Sequence, residues 1–172
     1  LWVGTDKGLS VFDYEKEQFI TYNKKAYDSN TLTSNLIFCL FRDRSGLIWI
    51  GTYNGVSAFN PDSKFPYFKS YPKDYDNNGD SDIIHGIYRS DDNLLWMGTS
   101  ENGVKVMWGQ TIEEVNSENS GLLSNSIQDI NGYKNNIFIG TNEGLSVLVK
   151  NGKNHTIINY TEEEGLPSNK IR

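Results

Sequence analysis

Apolar and polar residues alternate with a period of two in short runs along most of the chain, and each run is closed by a polar turn. The clearest runs are Gly8-Leu9-Ser10-Val11-Phe12, Gly55-Val56-Ser57-Ala58-Phe59, Gly103-Val104-Lys105-Val106 and Gly144-Leu145-Ser146-Val147-Leu148. Such alternation after a glycine predicts a strand entered from a tight hairpin. The turns Asp6-Lys7-Gly8, Tyr53-Asn54-Gly55, Glu101-Asn102-Gly103 and Asn142-Glu143-Gly144 put the glycine where positive φ is needed. A less apolar strand is expected next, at Gln18 to Tyr22, Phe65 to Tyr71, Glu114 to Asn116 and His155 to Tyr160. It is reached through turns such as Asn60-Pro61-Asp62 and Asn151-Gly152-Lys153. A polar loop then leads to a more apolar strand, at Leu36 to Phe41, Ile83 to Tyr88 and Ile127 to Ile130. Helical periodicity is absent.

These runs are ordered by a repeat. The tetrad Trp-x-Gly-Thr stands at Trp2, Gly4, Thr5, then Trp49, Gly51, Thr52, then Trp96, Gly98, Thr99, and as Phe138, Gly140, Thr141. Its glycines are 47, 47 and 42 residues apart. An aromatic-and-glycine signature at this period marks an array whose units must stack to bury their faces. Each unit supplies four short antiparallel strands, the makeup of a β-propeller blade. The fold class is therefore all-β, with about four repeats at approximately 1–44, 45–91, 92–134 and 135–172. Within each tetrad the aromatic suits the gap between blades. The glycine suits a close backbone approach, and the threonine hydroxyl a turn amide. The four repeats open on the second strand of one blade and end just inside the first strand of another. They could close as a four-bladed ring, but that last strand is too short for a stable seam. A piece of a larger ring is therefore expected, with two apolar faces open to association as a homodimer.

Composition narrows the function. A net charge of -6 and scattered Lys and Arg exclude a nucleic-acid surface. The single cysteine, Cys39, allows no internal disulfide and lies in the apolar run 36–41, where a buried structural thiol is expected. That run is too short to span a bilayer. No His-x-x-x-His, Cys/His cluster or glycine-rich phosphate loop is present, so no cofactor is expected.

The order Leu-x-Ser-Asn-x-Ile, Asp-x-x-Gly, Leu-Ile-Trp-Ile-Gly-Thr, Gly-Val-Ser-x-Phe-Asn, clearest over residues 30–71, resembles the two-component regulator propeller repeat. The Ser-Asn entry recurs at Leu32-Thr33-Ser34-Asn35, Leu122-Leu123-Ser124-Asn125 and Leu166-Pro167-Ser168-Asn169. The third repeat departs, with Gly79-Asp80-Ser81-Asp82 in its place. The resemblance implies a fragment of a seven-bladed propeller from the periplasmic sensor region of a hybrid two-component system histidine kinase. It also implies an oligosaccharide signal, and further blades and domains of the parent receptor as partners. The fragment itself is then not an enzyme.

Saccharides are bound by aromatic platforms with planar amide or carboxylate groups. Loops that should share one propeller face supply Tyr27, Asp28, Tyr53, Asn54, Asp74, Tyr75, Asp76, Glu101, Asn102, Asn142 and Glu143. Asp and Asn are also common turn residues. Asp74, Asp76, Asn78 and Gly79 match the opening of a calcium loop, but His85 stands where its bidentate glutamate belongs. A solvated loop is the expectation there. His85, near the start of an innermost strand, could serve as a lyase base, although a hydrogen-bonded strand residue is the plainer reading; His155 is expected at the surface. Paired carboxylates of a glycosidase, from Asp74, Asp76, Glu101 and Glu143, are a further alternative. So is a propeller used only for protein contacts.

Overall fold

The computed structural model describes all residues except 64–67, 72–81, 110 and 152–153. It contains fifteen strands among the described residues: β1 Trp2–Thr5, β2 Gly8–Asp13, β3 Gln18–Tyr22, β4 Ile37–Arg42, β5 Ile48–Thr52, β6 Gly55–Phe59, β7 Phe68–Tyr71, β8 Ile84–Arg89, β9 Leu95–Thr99, β10 Val104–Trp108, β11 Thr111–Val115, β12 Ile127–Tyr133, β13 Asn136–Thr141, β14 Gly144–Asn151 and β15 Asn154–Tyr160. They form four antiparallel meanders, β1-β2-β3, β4-β5-β6-β7, β8-β9-β10-β11 and β12-β13-β14-β15. The first has three strands and the others four, each in simple sequential order. These are propeller blades.

The chain divides into two compact units, Leu1–Ile84 and His85–Arg172. In the first, sheets β1–β3 and β4–β7 enclose Leu9, Ile37, Ile48, Ile50, Phe59 and Phe68, with Trp2, Tyr22 and Leu40 packed against them. Trp2 of the first tetrad lies 5.3 Å from Phe59, centroid to centroid, and Phe59 lies 4.9 Å from Phe68. In the second unit, Trp96, Val104, Val106, Ile127, Ile130, Ile137, Ile139 and Leu148 form the core. A buried aliphatic side chain of this kind stabilises the fold by about 1.5–3 kcal/mol. The strands β5, β6 and β9 are buried throughout, whereas β3 is exposed over four of its five residues. The fall in apolar content from central to outer strands follows that gradient.

Three expectations need correction. The outer strand of the third repeat is Thr111–Val115, not Glu114 to Asn116. It is held by full pairing with β10, including Lys105 opposite Glu114, and not by apolar content. Asn116 instead caps a one-turn helix, α1 Ser117–Ser120, with its Oδ1 accepting from the N–H groups of Glu118 and Asn119. Four polar residues have no periodicity to detect, and the cap makes this turn. A 3-10 turn, Glu162–Glu164, is capped by Thr161 in the same way. Lastly, Cys39 is half-buried, its thiol 3.8 Å from the carbonyl oxygen of Ile84.

Candidate functional site

The loops expected to bind ligand are built on two hydrogen-bonded clamps that the repeat reproduces. The first is the tetrad threonine. Thr5, Thr52, Thr99 and Thr141 each donate to the carbonyl of the hairpin glycine, Gly8, Gly55, Gly103 and Gly144, at 2.9 Å. Each also accepts from a turn N–H, that of Lys7, Asn54, Asn102 and Glu143, at 2.8–3.0 Å. The glycines take positive φ, from 73° at Gly103 to 139° at Gly144, which a side chain would disfavour. Thr52, Thr99 and Thr141 are wholly buried.

The second clamp is the Ser-Asn entry. Ser34, Ser124 and Ser168 accept through Oγ from the N–H two residues on. Asn35, Asn125 and Asn169 accept through Oδ1 from Lys24, Ser117 and Glu162 N–H, at 2.6, 2.8 and 2.7 Å. The backbone joins both clamps: Gly8 N–H donates to Asn35 O and Gly103 N–H to Asn125 O, at 2.8 and 2.9 Å. The entry loop and the Gly-Thr turn therefore emerge together within each unit. In the sequence Ser-Asn marks the entry to a strand; in the structure its asparagine closes the entry loop onto itself.

In the Leu1–Ile84 unit, Tyr27 is fully exposed at the tip of the loop 23–36, with φ 64°. Asp28 is exposed beside it, its carboxylate accepting from Asn30 N–H at 3.0 Å. Tyr53 is about half exposed on the Thr52 turn and Asn54 is half-buried next to it. In the His85–Arg172 unit, Glu101, Asn102, Asn142 and Glu143 are all exposed on their turns. Asp74, Tyr75, Asp76 and Asn78 lie outside the described residues. The calcium motif lies there too. Among the described residues, no group of three or more His, Cys, Asp and Glu side chains stands together as a metal site.

Of the other candidates, His155 is exposed on β15. His85 is half-buried, and burial holds its imidazole below the ordinary value. The tetrad aromatics divide by environment. Trp49 and Trp96 are buried and Trp2 and Phe138 half-buried. Trp49 donates its indole N–H to Asp43 at 2.9 Å, and Trp96 to the hydroxyl of Ser90 at 3.1 Å. Asp43 was not a candidate by sequence. Its carboxylate loses hydration by burial, yet the hydrogen bonds from Ser45, Trp49 and Leu47 outweigh this and hold its pKa below the usual range.

The sheets and their clamped turns define a β-propeller scaffold that presents variable loops. Residues 31–54 match the family model described as two component regulator propeller. Among solved structures, the chain is similar to the extracellular domain described as that of the hybrid two component system BT3049 from B. thetaiotaomicron. The identity is 23%, the TM-score 0.74, and the match covers 96% of this chain and 22% of that one. The extracellular domain of BT4673 from the same organism matches at 20% identity and TM-score 0.76, covering 99% of this chain and 22% of that one. A streptogramin B lyase structure matches at 17% identity and TM-score 0.62, covering 92% of this chain and 50% of that one. No curated protein matches the chain significantly. The chain thus spans about a fifth of the two extracellular domains, 22% in each case. Among the described residues, no helix is long and apolar enough to cross a membrane.

Proposed function

We propose that this chain is part of the extracytoplasmic, periplasmic sensor region of a hybrid two-component system. On this reading it binds an oligosaccharide and relays that state to a histidine kinase elsewhere in the same protein. The observation that carries the reading is the coincidence of two likenesses. One is the two-component regulator propeller match at residues 31–54. The other is the fold shared with two extracellular domains of such systems. Exposed Tyr27, Tyr53, Glu101 and Asn102 on clamped turns supply the aromatic and planar polar groups that saccharides need. Binding would act by population shift, the sugar favouring one arrangement of the receptor over another. Further blades and domains of the receptor are its partners, and a homodimer is the assembly proposed for it.

A second reading, a propeller lyase or hydrolase, draws on the likeness to streptogramin B lyase. The discriminating experiment is a thermal-shift screen of the chain against oligosaccharides, with the sugar analysed afterwards. A selective rise in melting temperature with intact sugar is the sensor result. Consumption of the sugar is the enzyme result.

A further inference from the structure

The strands β4 and β12 share an irregularity that packing alone does not use. In β4 the ladder pairs Ile37 with Thr52 and Cys39 with Gly51, so the register passes over Phe38. In β12 it pairs Ile127 with Thr141 and Asp129 with Gly140, passing over Gln128. Residues three apart lie on opposite faces of a regular strand. Here they share one. A Cβ on Gly98 would stand 2.5 Å from Ile127 and 3.2 Å from Ile130, and one on Gly4 would stand 2.5 Å from Ile37 and 3.7 Å from Leu40. In each pair the ladder passes over one of the two residues between, Phe38 in β4 and Gln128 in β12. The same spacing recurs at Ile84 and Ile87, both buried, with His85 and Gly86 between them. Bulges re-aim a side chain in this manner and are frequent beside binding sites.

The residues passed over, Phe38 and Gln128, each follow an isoleucine, and an isoleucine stands at the same place in all four repeats. Ile37, Ile84, Ile127 and Ile171 are followed by Phe38, His85, Gln128 and Arg172. Ile171 fills the space above Gly140 as Ile127 fills that above Gly98, at 2.6 and 2.5 Å from the missing Cβ. The framework is constant and the next side chain changes chemistry each time. A core packing position tends to keep its residue type, whereas a position on the open surface of a repeat scaffold is free to vary and to meet a ligand.

We propose that the residue after the entry isoleucine is the ligand-reading position of each blade, and that His85 and Gln128 contact saccharide hydroxyls at the inner edge of the His85–Arg172 unit. A Cβ on Gly86 would stand 2.5 Å from the backbone nitrogen of Ile130 and 2.9 Å from Cα of Asp129. The strands β8 and β12 therefore touch immediately beyond His85 and Gln128. A neutral imidazole has one donor and one acceptor, and the Gln128 amide, whose Nε2 donates one N–H to Ser126 Oγ at 3.2 Å, has a second N–H and a carbonyl oxygen, a set suited to adjacent hydroxyl groups. Burial lowers the pKa of His85 and so favours the neutral form. Phe38, in the Leu1–Ile84 unit, offers a half-exposed ring at the equivalent position. This assignment rests on the saccharide-sensor reading, and it adds the inner edge to the turn residues as a surface that meets the sugar.

The chain has two histidines, which makes the test direct. Imidazole NMR signals of the whole chain are followed while neutral and acidic oligosaccharides are titrated in, with melting temperature recorded in parallel. A sugar that raises the melting temperature should move the His85 signals saturably and leave those of His155, exposed on β15, in place. Gln128→Ala should weaken the same sugar by roughly tenfold, about 1.4 kcal/mol, and its melting temperature without sugar reports whether it folds. If the sugar stabilises the chain while His85 stays still and Gln128→Ala binds normally, the inner edge is not the reading position, although the sensor reading stands. If no sugar stabilises the chain, the sensor reading fails and this assignment fails with it.

Discussion

Gly98 and Ile127 meet so closely that a methyl group on the glycine would stand 2.5 Å from Cγ2 of the isoleucine. Ile127 is wholly buried and Ile130 closes the same space from the other side, so neither can withdraw cheaply. Gly98→Ala should cost about 1–3 kcal/mol by overpacking, read as a lower midpoint in denaturant. Adding Ile127→Val should recover part of that loss, because the two changes act on one contact. Additive effects would show that the glycine is needed for some other reason.

Thr141 carries one of the three wholly buried turn clamps. Thr141→Val keeps the shape but leaves the Gly144 carbonyl and the Glu143 N–H without the hydroxyl. A cost of about 1–3 kcal/mol is expected. Thr5→Val, at a half-buried turn where water can replace the hydroxyl, should cost less. Chemical denaturation of both variants checks the order.

Asp43 links stability to pH. Burial raises its pKa, but the donors from Ser45, Trp49 and Leu47 prevail and set it below the ordinary 3.8. A carboxylate depressed in the folded state stabilises fully above its unfolded value, and that contribution is lost as pH falls through the folded value. The loss therefore begins near pH 4 and continues below it. Asp43→Asn turns one amide N–H toward a donor, whichever way it is oriented, and should cost about 1–3 kcal/mol at neutral pH. It should also flatten the acid limb of stability followed by tryptophan fluorescence. An unchanged acid limb would remove Asp43 from the account.

Lys150 joins two blades inside the His85–Arg172 unit. Its ammonium lies 5.0 Å from the Trp96 ring centroid and 2.9 Å from Asp92, which is about half exposed. Lys150→Met should keep the packing over Trp96 and lose the charge, at a cost of about 0.5–1 kcal/mol. Added salt should shrink the difference from the wild-type chain. A salt-independent difference would mean that packing alone is at work.

Strand language made the blades legible because alternation and hairpin glycines act locally, and Gln18 to Tyr22 was placed to the residue. The outer strand Thr111–Val115 was misplaced because pairing with β10 and the Lys105–Glu114 contact at 3.6 Å hold it, not apolar residues. The turn Ser117–Ser120 was invisible because its helix is made by the Asn116 cap. The bulges at Phe38 and Gln128 were hidden for a similar reason: a one-residue slip leaves an apolar strand looking apolar. Exposed Tyr27, Tyr53, Glu101 and Asn102 and half-buried Asn54 could be named as surface groups. Asparagine and aspartate in turns look the same whether they bind a ligand or only shape the loop. Asn35 and Asn125 illustrate the second case, since both side chains serve the entry loop.

The most direct test of the sensor account is calorimetric titration of the chain with purified oligosaccharides, followed by mass analysis of the recovered sugar. The account predicts saturable heat with a restricted set of sugars, each recovered unchanged. Sugar present at about a hundred times its dissociation constant should then add about 2.7 kcal/mol of stability. Absence of heat from every sugar, or recovery of a cleaved product, would contradict it.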